Sequence, residues 1–225
     1  MKSDFEVKQM KKSAIELLLF YAATFIGGFF AGYAVIRFGM FASSQTMNII
    51  SIGLNLFGKD FGEFLVRLFI MALYASAIAI GVLIPRYTKH DVRLISIFTT
   101  SATAIFLSCI PTQTASTLSM APVFFSMALE WSAFEGAMGY QASCIFVTND
   151  FRQMVLGGVN YLCDKDEKYR IQFLFYAGTI CSFFSGFIVS CAGIKLWGVR
   201  SAAIILAVLI FMTALVIKEK SLNKR

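Results

Sequence analysis

Apolar runs carrying at most one charge dominate the chain. They cover residues 14–36, 64–84, 94–110, 171–194 and 201–217, with Glu16 at the edge of the first and Arg67 near the start of the second. A helix needs roughly 17–25 mostly apolar residues to cross ~30 Å of hydrocarbon, and each run reaches that length. Turn and charge signals divide the chain into eight predicted helices, over 14–36, 41–58, 64–84, 93–110, 119–138, 141–163, 171–194 and 199–218. The second, fifth and sixth are more polar, so pattern alone leaves open whether they cross. The short alternating strands that build membrane barrels are not found. The reading is an all-α, polytopic transmembrane helix bundle of six to eight spans. One transmembrane domain runs over 14–218, between a cytoplasmic N-terminal segment (1–13) and a cytoplasmic tail (219–225).

Composition strengthens this reading. The chain is 58% hydrophobic and only 15% charged, with mean hydropathy +0.72. A soluble domain carries about 45–50% apolar and about a quarter charged residues. The net charge of +7 forms no nucleic-acid-binding patch. Its cations collect at the ends of apolar runs: Lys8, Lys11 and Lys12; Arg86, Lys89 and Arg93; Lys218, Lys220, Lys224 and Arg225. Cytoplasmic flanks are enriched in this way, which predicts both termini inside and an even number of crossings. Keeping the 86–93 loop cytoplasmic tips the balance slightly towards six. The first apolar run exceeds the ~7–15 residues of a signal-peptide core and no small-residue cleavage site follows, so it is expected to stay as the first span. Cys109, Cys144, Cys163, Cys181 and Cys191 include no C-x-x-C pair. No disulfide framework, metal site or cofactor is expected.

The eight segments divide into two similar halves, about 14–110 and 119–218. FASSQTMN (41–48) corresponds to YQASCIFVTND (140–150), and each follows a Gly-containing stretch. These stretches carry the polar residues within the apolar layer: Gln45, Thr46 and Asn48 in the first half, Asn149, Asp150 and Arg152 in the second. A charged residue at a helix centre costs on the order of 2.5–3.5 kcal/mol, so it faces a bundle interior or a wet cavity. Segments 5 and 6 are read as a helical hairpin turning near Gly139–Tyr140. Positions equidistant from that turn share a depth, which predicts an ion pair between Glu130 and Arg152, leaves Asp150 facing a cavity and puts Glu135 nearer the surface. The same geometry sets Gln45, Thr46 and Asn48 opposite Gly32, Tyr33 and Phe30. Structural glue is the competing reading of all these polar groups.

Small residues mark the packing faces. Gly178, Ser182, Gly186 and Ser190 recur every four residues with Cys181 and Ser185 alongside, and Gly28 and Gly32 make a G-x-x-x-G spacing. Lipid tails are as apolar as leucine, so close backbone approach through small residues is what draws helices together. Packing within the chain is the simpler use of these faces; a homodimer interface is the alternative. Pro122 is expected in the first turn of its helix, where its missing N–H costs nothing.

On GGFFAGYAVIRFGMFASSQTMN (27–48) and FVTNDFRQ (146–153) the chain resembles the YoaK-type family of bacterial integral membrane proteins, a domain of unknown function. Its members carry a Gly-rich first helix, a Thr-Gly-Asn-like motif and a Gly/Ala-rich helix, then a second such set. Here the motifs read Gln45-Thr46-Met47-Asn48, with Met47 where Gly is usual, and Thr148-Asn149-Asp150. The 178–186 spacing resembles the Gly/Ala-rich helix. The resemblance implies a helical fold in a bacterial plasma membrane, and no substrate.

Two functions follow from the residues. One is a small-solute or ion transporter, since polar, interrupted segments at matching places in two repeats point to a midplane site. Gln45, Thr46, Asn48, Asn149, Asp150 and Arg152 are then the pathway candidates, Glu130 orients Arg152, and Asp150 binds a cation or a coupling proton. Partners are the lipid bilayer, a small polar or ionic solute and a second copy. The other function is a non-transporting scaffold or partner subunit. Enzyme activity is not expected: the one histidine, His90, falls in a loop, no H-E-x-x-H occurs, and Asp150 has no second aspartate at depth.

Overall fold

The apolar runs fold as helices; α1, α3 and α7 extend beyond both predicted borders, α4 keeps its borders to within one residue, and α8 is shifted towards the C-terminus, starting at Ile205 and ending at Lys224. A computed structural model of the protein describes residues 4–41, 44–58, 60–111 and 116–224. Residues 1–3 of the N-terminal segment, 42 and 43 of the first polar motif and 225 of the tail lie outside the described residues. The helices are α1 (Asp4–Phe38), α2 (Gln45–Gly58), α3 (Phe61–Tyr87), α4 (Val92–Cys109), α5 (Ala121–Ala133), α6 (Thr148–Asp164), α7 (Glu167–Trp197) and α8 (Ile205–Lys224). A 3-10 turn at Thr117–Met120 leads into α5, with Pro122 in the first turn as expected, and another at Gly198–Ile204 links α7 to α8. Four stretches are long and apolar enough to cross a membrane: Gln9–Phe38, Phe61–Tyr87, Val92–Cys109 and Glu167–Leu222, the last holding both α7 and α8. The protein is therefore a helical membrane protein by length and composition.

Contacts fix how these helices run. Tyr21 meets Gly178 and Ser182, Phe25 meets Gly186, and Gly32 meets Ser190, so α1 and α7 are parallel. Glu63 accepts from the Thr117 hydroxyl and Gly81 lies on Ser132, so α3 and α5 are parallel too. Arg93 and Asp91 reach Glu219 and Lys220, while the Tyr33 hydroxyl donates to the carbonyls of Leu107 and Val199. The start of α4 and the end of α8 thus share one end of the bundle, called here the near end, where α1 and α7 begin. The ends of α1 and α4 and the 198–204 turn share the far end. The packing partners also pair off: α1 packs on α7 and α5 on α3, α2 on α3 and α6 on α7, and α1 on α8 and α5 on α4.

The small-residue faces close the central seam. A Cβ at Gly28 would meet the Phe183 carbonyl and one at Gly186 the Phe25 carbonyl, while Gly32 lies against Ser190. The Ser182 hydroxyl donates to the Tyr21 carbonyl at 2.7 Å. The Gly178, Ser182, Gly186 and Ser190 stripe is therefore occupied inside the chain, by α1.

The sequence reading fails between α5 and α6. The chain does turn near Gly139–Tyr140, but as a β-hairpin, β1 (Gly136–Ala137) against β2 (Tyr140–Gln141), and not between two helices. Gly136, Met138 and Gly139 have positive φ of 145°, 56° and 82°, which ends helical geometry. Residues 142–147 then run as non-helical backbone into the interior, where Ala142, Ser143, Cys144 and Ile145 are buried. Irregular backbone at membrane depth survives only where protein or a wet cavity covers it. Gly27 provides that cover: without a Cβ, it lets the Cys144 carbonyl rest on the middle of α1.

Candidate functional site

The chain starts both short helices in the interior. Residues 39–44 lead back from the far end to α2, which begins beside Tyr74 in the middle of α3. Residues 134–147 lead in from the near end, where the Tyr140 hydroxyl donates to the Lys168 carbonyl, to α6. Each short helix then returns to the end it came from. Its outer face is apolar: Ile49, Ile50, Leu54 and Phe57 on α2 and Phe151, Val155, Val159 and Leu162 on α6 are exposed, as suits lipid contact.

Their N-termini meet at one cavity of about 630 Å³, lined by Ser44, Gln45 and Thr46 from the first half and Thr148, Asn149 and Arg152 from the second, with Tyr74, Trp131 and Phe146. A second cavity, of about 580 Å³, opens beside Glu135, Gln141, Ser143 and Asn149, and Ile78 and Val82 form its apolar side. Trp131, Phe146 and Asn149 line both. The two rings stand edge to face with centroids 5.0 Å apart and an interplanar angle of 72°, so an aromatic pair and one amide form the shared wall. Each helix N-terminus presents unsatisfied N–H groups and a partial positive charge. With the Arg152 guanidinium, they make the larger cavity attractive to the anionic end of a small solute.

Four of the sequence candidates, Gln45, Thr46, Asn149 and Arg152, are thus brought together. Asn48 is not: it is buried and bonded to Gln45 Oε1 at 3.3 Å, and faces a separate 80 Å³ void with Arg67. Nor do Gln45 and Thr46 face Gly32 or Tyr33, because α2 packs on α3 and not on α1. The expected Glu130–Arg152 pair does not form. Arg152 is exposed, while Glu130 is 1% exposed and accepts from the Thr100 hydroxyl at 3.3 Å. Equal depth holds only where two helices meet at the turn, and the non-helical 134–147 stretch shifts α6 out of that register. Asp150 does not line the cavity either; it is wholly buried. Glu135 is exposed, as its predicted place near the surface requires.

Sequence reasoning missed Tyr74, Trp131 and Phe146. Aromatic residues are abundant throughout the chain, with 24 Phe, 8 Tyr and 2 Trp, so type alone could not single these out. Thr148 stood in the quoted motif beside Asn149 and could have been included.

A family model described as "Protein of unknown function (DUF1275)" matches residues 19–216. No curated protein and no solved structure matches the chain.

Proposed function

The chain belongs to the DUF1275 family, proteins of unknown function, and from its site we propose that it is a transporter of small solutes carrying an anionic group. In this reading α1, α3, α4, α5, α7 and α8 cross the bilayer, and α2 and α6 are re-entrant arms entering from opposite sides. The exchange of packed pairs between the halves supports an inverted repeat, the plan on which many transporters build a midplane site from half-helix N-termini. Both termini and the 86–93 loop lie in the cytoplasm of a bacterial cell, in keeping with their basic residues and with the YoaK-type resemblance of 27–48 and 146–153. Gln45, Thr46, Asn149 and Arg152 hold the solute, and Trp131 and Phe146 are the barrier that must part for it to pass.

The observation that carries the reading is the shared wall: two cavities of several hundred Å³ separated by one aromatic pair, with polar residues of both halves converging on it. The scaffold reading has less support, because the small-residue stripe it would use is already occupied by α1. The test is uptake into vesicles holding the purified protein, using a panel of labelled small carboxylates, phosphate and halides. At least one should be carried, and Arg152→Gln should lose it. A panel with no carried solute, or a flux that Gln45→Ala, Asn149→Ala and Arg152→Gln all leave unchanged, overturns the reading.

A further inference from the structure

Two carboxyl groups lie at the α5–α6 break with no cation among the described residues to balance them. Glu130, in the last turn of α5, is 1% exposed, and Asp150, in the first turn of α6, is 0% exposed. Glu130 Oε2 accepts from Thr100, but its Oε1 has no partner. The Ser143 amide acts on Asp150 electrostatically, yet neither of its oxygens makes a hydrogen bond of ordinary geometry. Both acids lie close enough to the buried thiol of Cys144 to act on it electrostatically. Among the described residues, Tyr74 of α3 also interacts electrostatically with Cys144 and Tyr176 of α7 with Asp150; α4 presents the neutral Thr100 and α1 the backbone of Gly27. Among the described residues neither acid makes an ion pair.

An unpaired buried carboxylate costs several kcal/mol, and taking up a proton removes most of that cost. The two acids also sit in opposite helix fields. Glu130 lies at the C-terminal end of α5, where partial negative charge opposes ionisation; Asp150 lies at the N-terminal end of α6, where partial positive charge favours it. We propose that Glu130 and Asp150 bind protons at this break, Glu130 as a constantly neutral acid and Asp150 as an exchangeable site coupled to the adjoining cavity. Ser143, whose amide acts on Asp150, and Asn149, its neighbour in the chain, line the 580 Å³ cavity, which is the route for the proton. Asp150 forms one O–H bond with a proton given up by hydronium there and returns it to water on release. Neutralising Asp150 removes a negative charge from behind the cavity that Thr148, Asn149 and Arg152 line, so proton and anionic solute favour each other's binding by the same factor. This coupling rests on the transporter reading; the proton sites do not.

The test is infrared difference spectroscopy of the protein in lipid vesicles with no solute present, so that its failure is separable from a failure of the flux assay. At neutral pH a carboxylic-acid C=O band of a water-excluded group should be present and vanish in Glu130→Gln. A second band should grow as pH is lowered and vanish in Asp150→Asn. Gln and Asn copy the shape of the neutral acids, so both variants should fold. Isotope-labelled glutamate or aspartate in the unaltered chain assigns the bands should either variant fail to do so. No glutamic-acid band at neutral pH, or an aspartic-acid band indifferent to pH, overturns the proposal.

Discussion

The α1–α7 seam and the meeting point of α2 and α6 solve opposite problems in one bundle. In the seam, small residues bring two helices together, so close at Gly28 and Gly186 that an added Cβ would meet a backbone carbonyl of the other helix. At the meeting point, amides, hydroxyls and one guanidinium sit at helix ends, and the elements stay far enough apart to leave cavities. Helix association in lipid gains little from burying leucine, so tight packing must come from small residues. Wherever larger polar residues replace them, space remains that water or a solute can fill. The seam is the rigid frame; the polar meeting point is what it holds in place.

The largest effect should come from breaking the seam. In Gly186→Ala the added methyl meets the Phe25 carbonyl, which belongs to a helix backbone and cannot turn aside. A loss of about 3 kcal/mol, or no folded protein, is expected from such overpacking at backbone, read by thermal unfolding and size exclusion in detergent. A well-folded Gly186→Ala protein would contradict the frame.

Next comes the ionic closure at the near end, outside both regions. Burial pushes the Asp91 carboxyl up, but the Arg93 guanidinium and amide and the Lys220 ammonium outweigh it and hold Asp91 at about 2. Because this value is depressed, the stabilisation is complete above the ordinary carboxylate range and is lost as pH falls through about 2. It amounts to on the order of 2 kcal/mol. Asp91→Asn should therefore be less stable than the parent at neutral pH by that amount. The gap should close in strong acid, as denaturation at each pH would report.

A smaller free-energy change but a sharper functional one is expected in the cavity. Arg152 is exposed and makes no ion pair among the described residues. Arg152→Gln should leave thermal unfolding unchanged while cutting solute flux tenfold or more, about 1.4 kcal/mol of interaction. A parallel loss of stability would make Arg152 a structural residue and blur the contrast with the seam. The smallest effect belongs to Gly53 in α2, whose Cβ position is open. Gly53→Ala should stabilise by about 0.5–1 kcal/mol through helix propensity alone, the opposite sign to Gly186→Ala.

These contrasts follow how much could be read in advance. The helices α1, α3, α4, α7 and α8 announce themselves as apolar runs, because lipid solvates their outer faces directly and any charge there is costly. Pro122 and the Gly/Ser spacings are local signals with local causes. The 134–147 stretch gives no such signal. Its extended path is held by groups distant in sequence: Gly27 under Cys144, and the Tyr176 hydroxyl donating to the Gln141 carbonyl at 2.8 Å. A helix over that stretch would set α6 at another depth, and only at that depth would Glu130 and Arg152 pair.

By itself the sequence determined that this is a helical membrane protein, which residues are polar within its apolar layer and which small residues could form a seam. Those properties depend on one residue's transfer energy or on its spacing along one helix. Only the tertiary structure decided that α2 and α6 begin inside the bundle, that Gln45 and Asn149 share a cavity, and that Glu130 and Asp150 have no cation among the described residues. Each of those outcomes depends on where backbone from another part of the chain comes to rest, which neither hydropathy nor periodicity encodes.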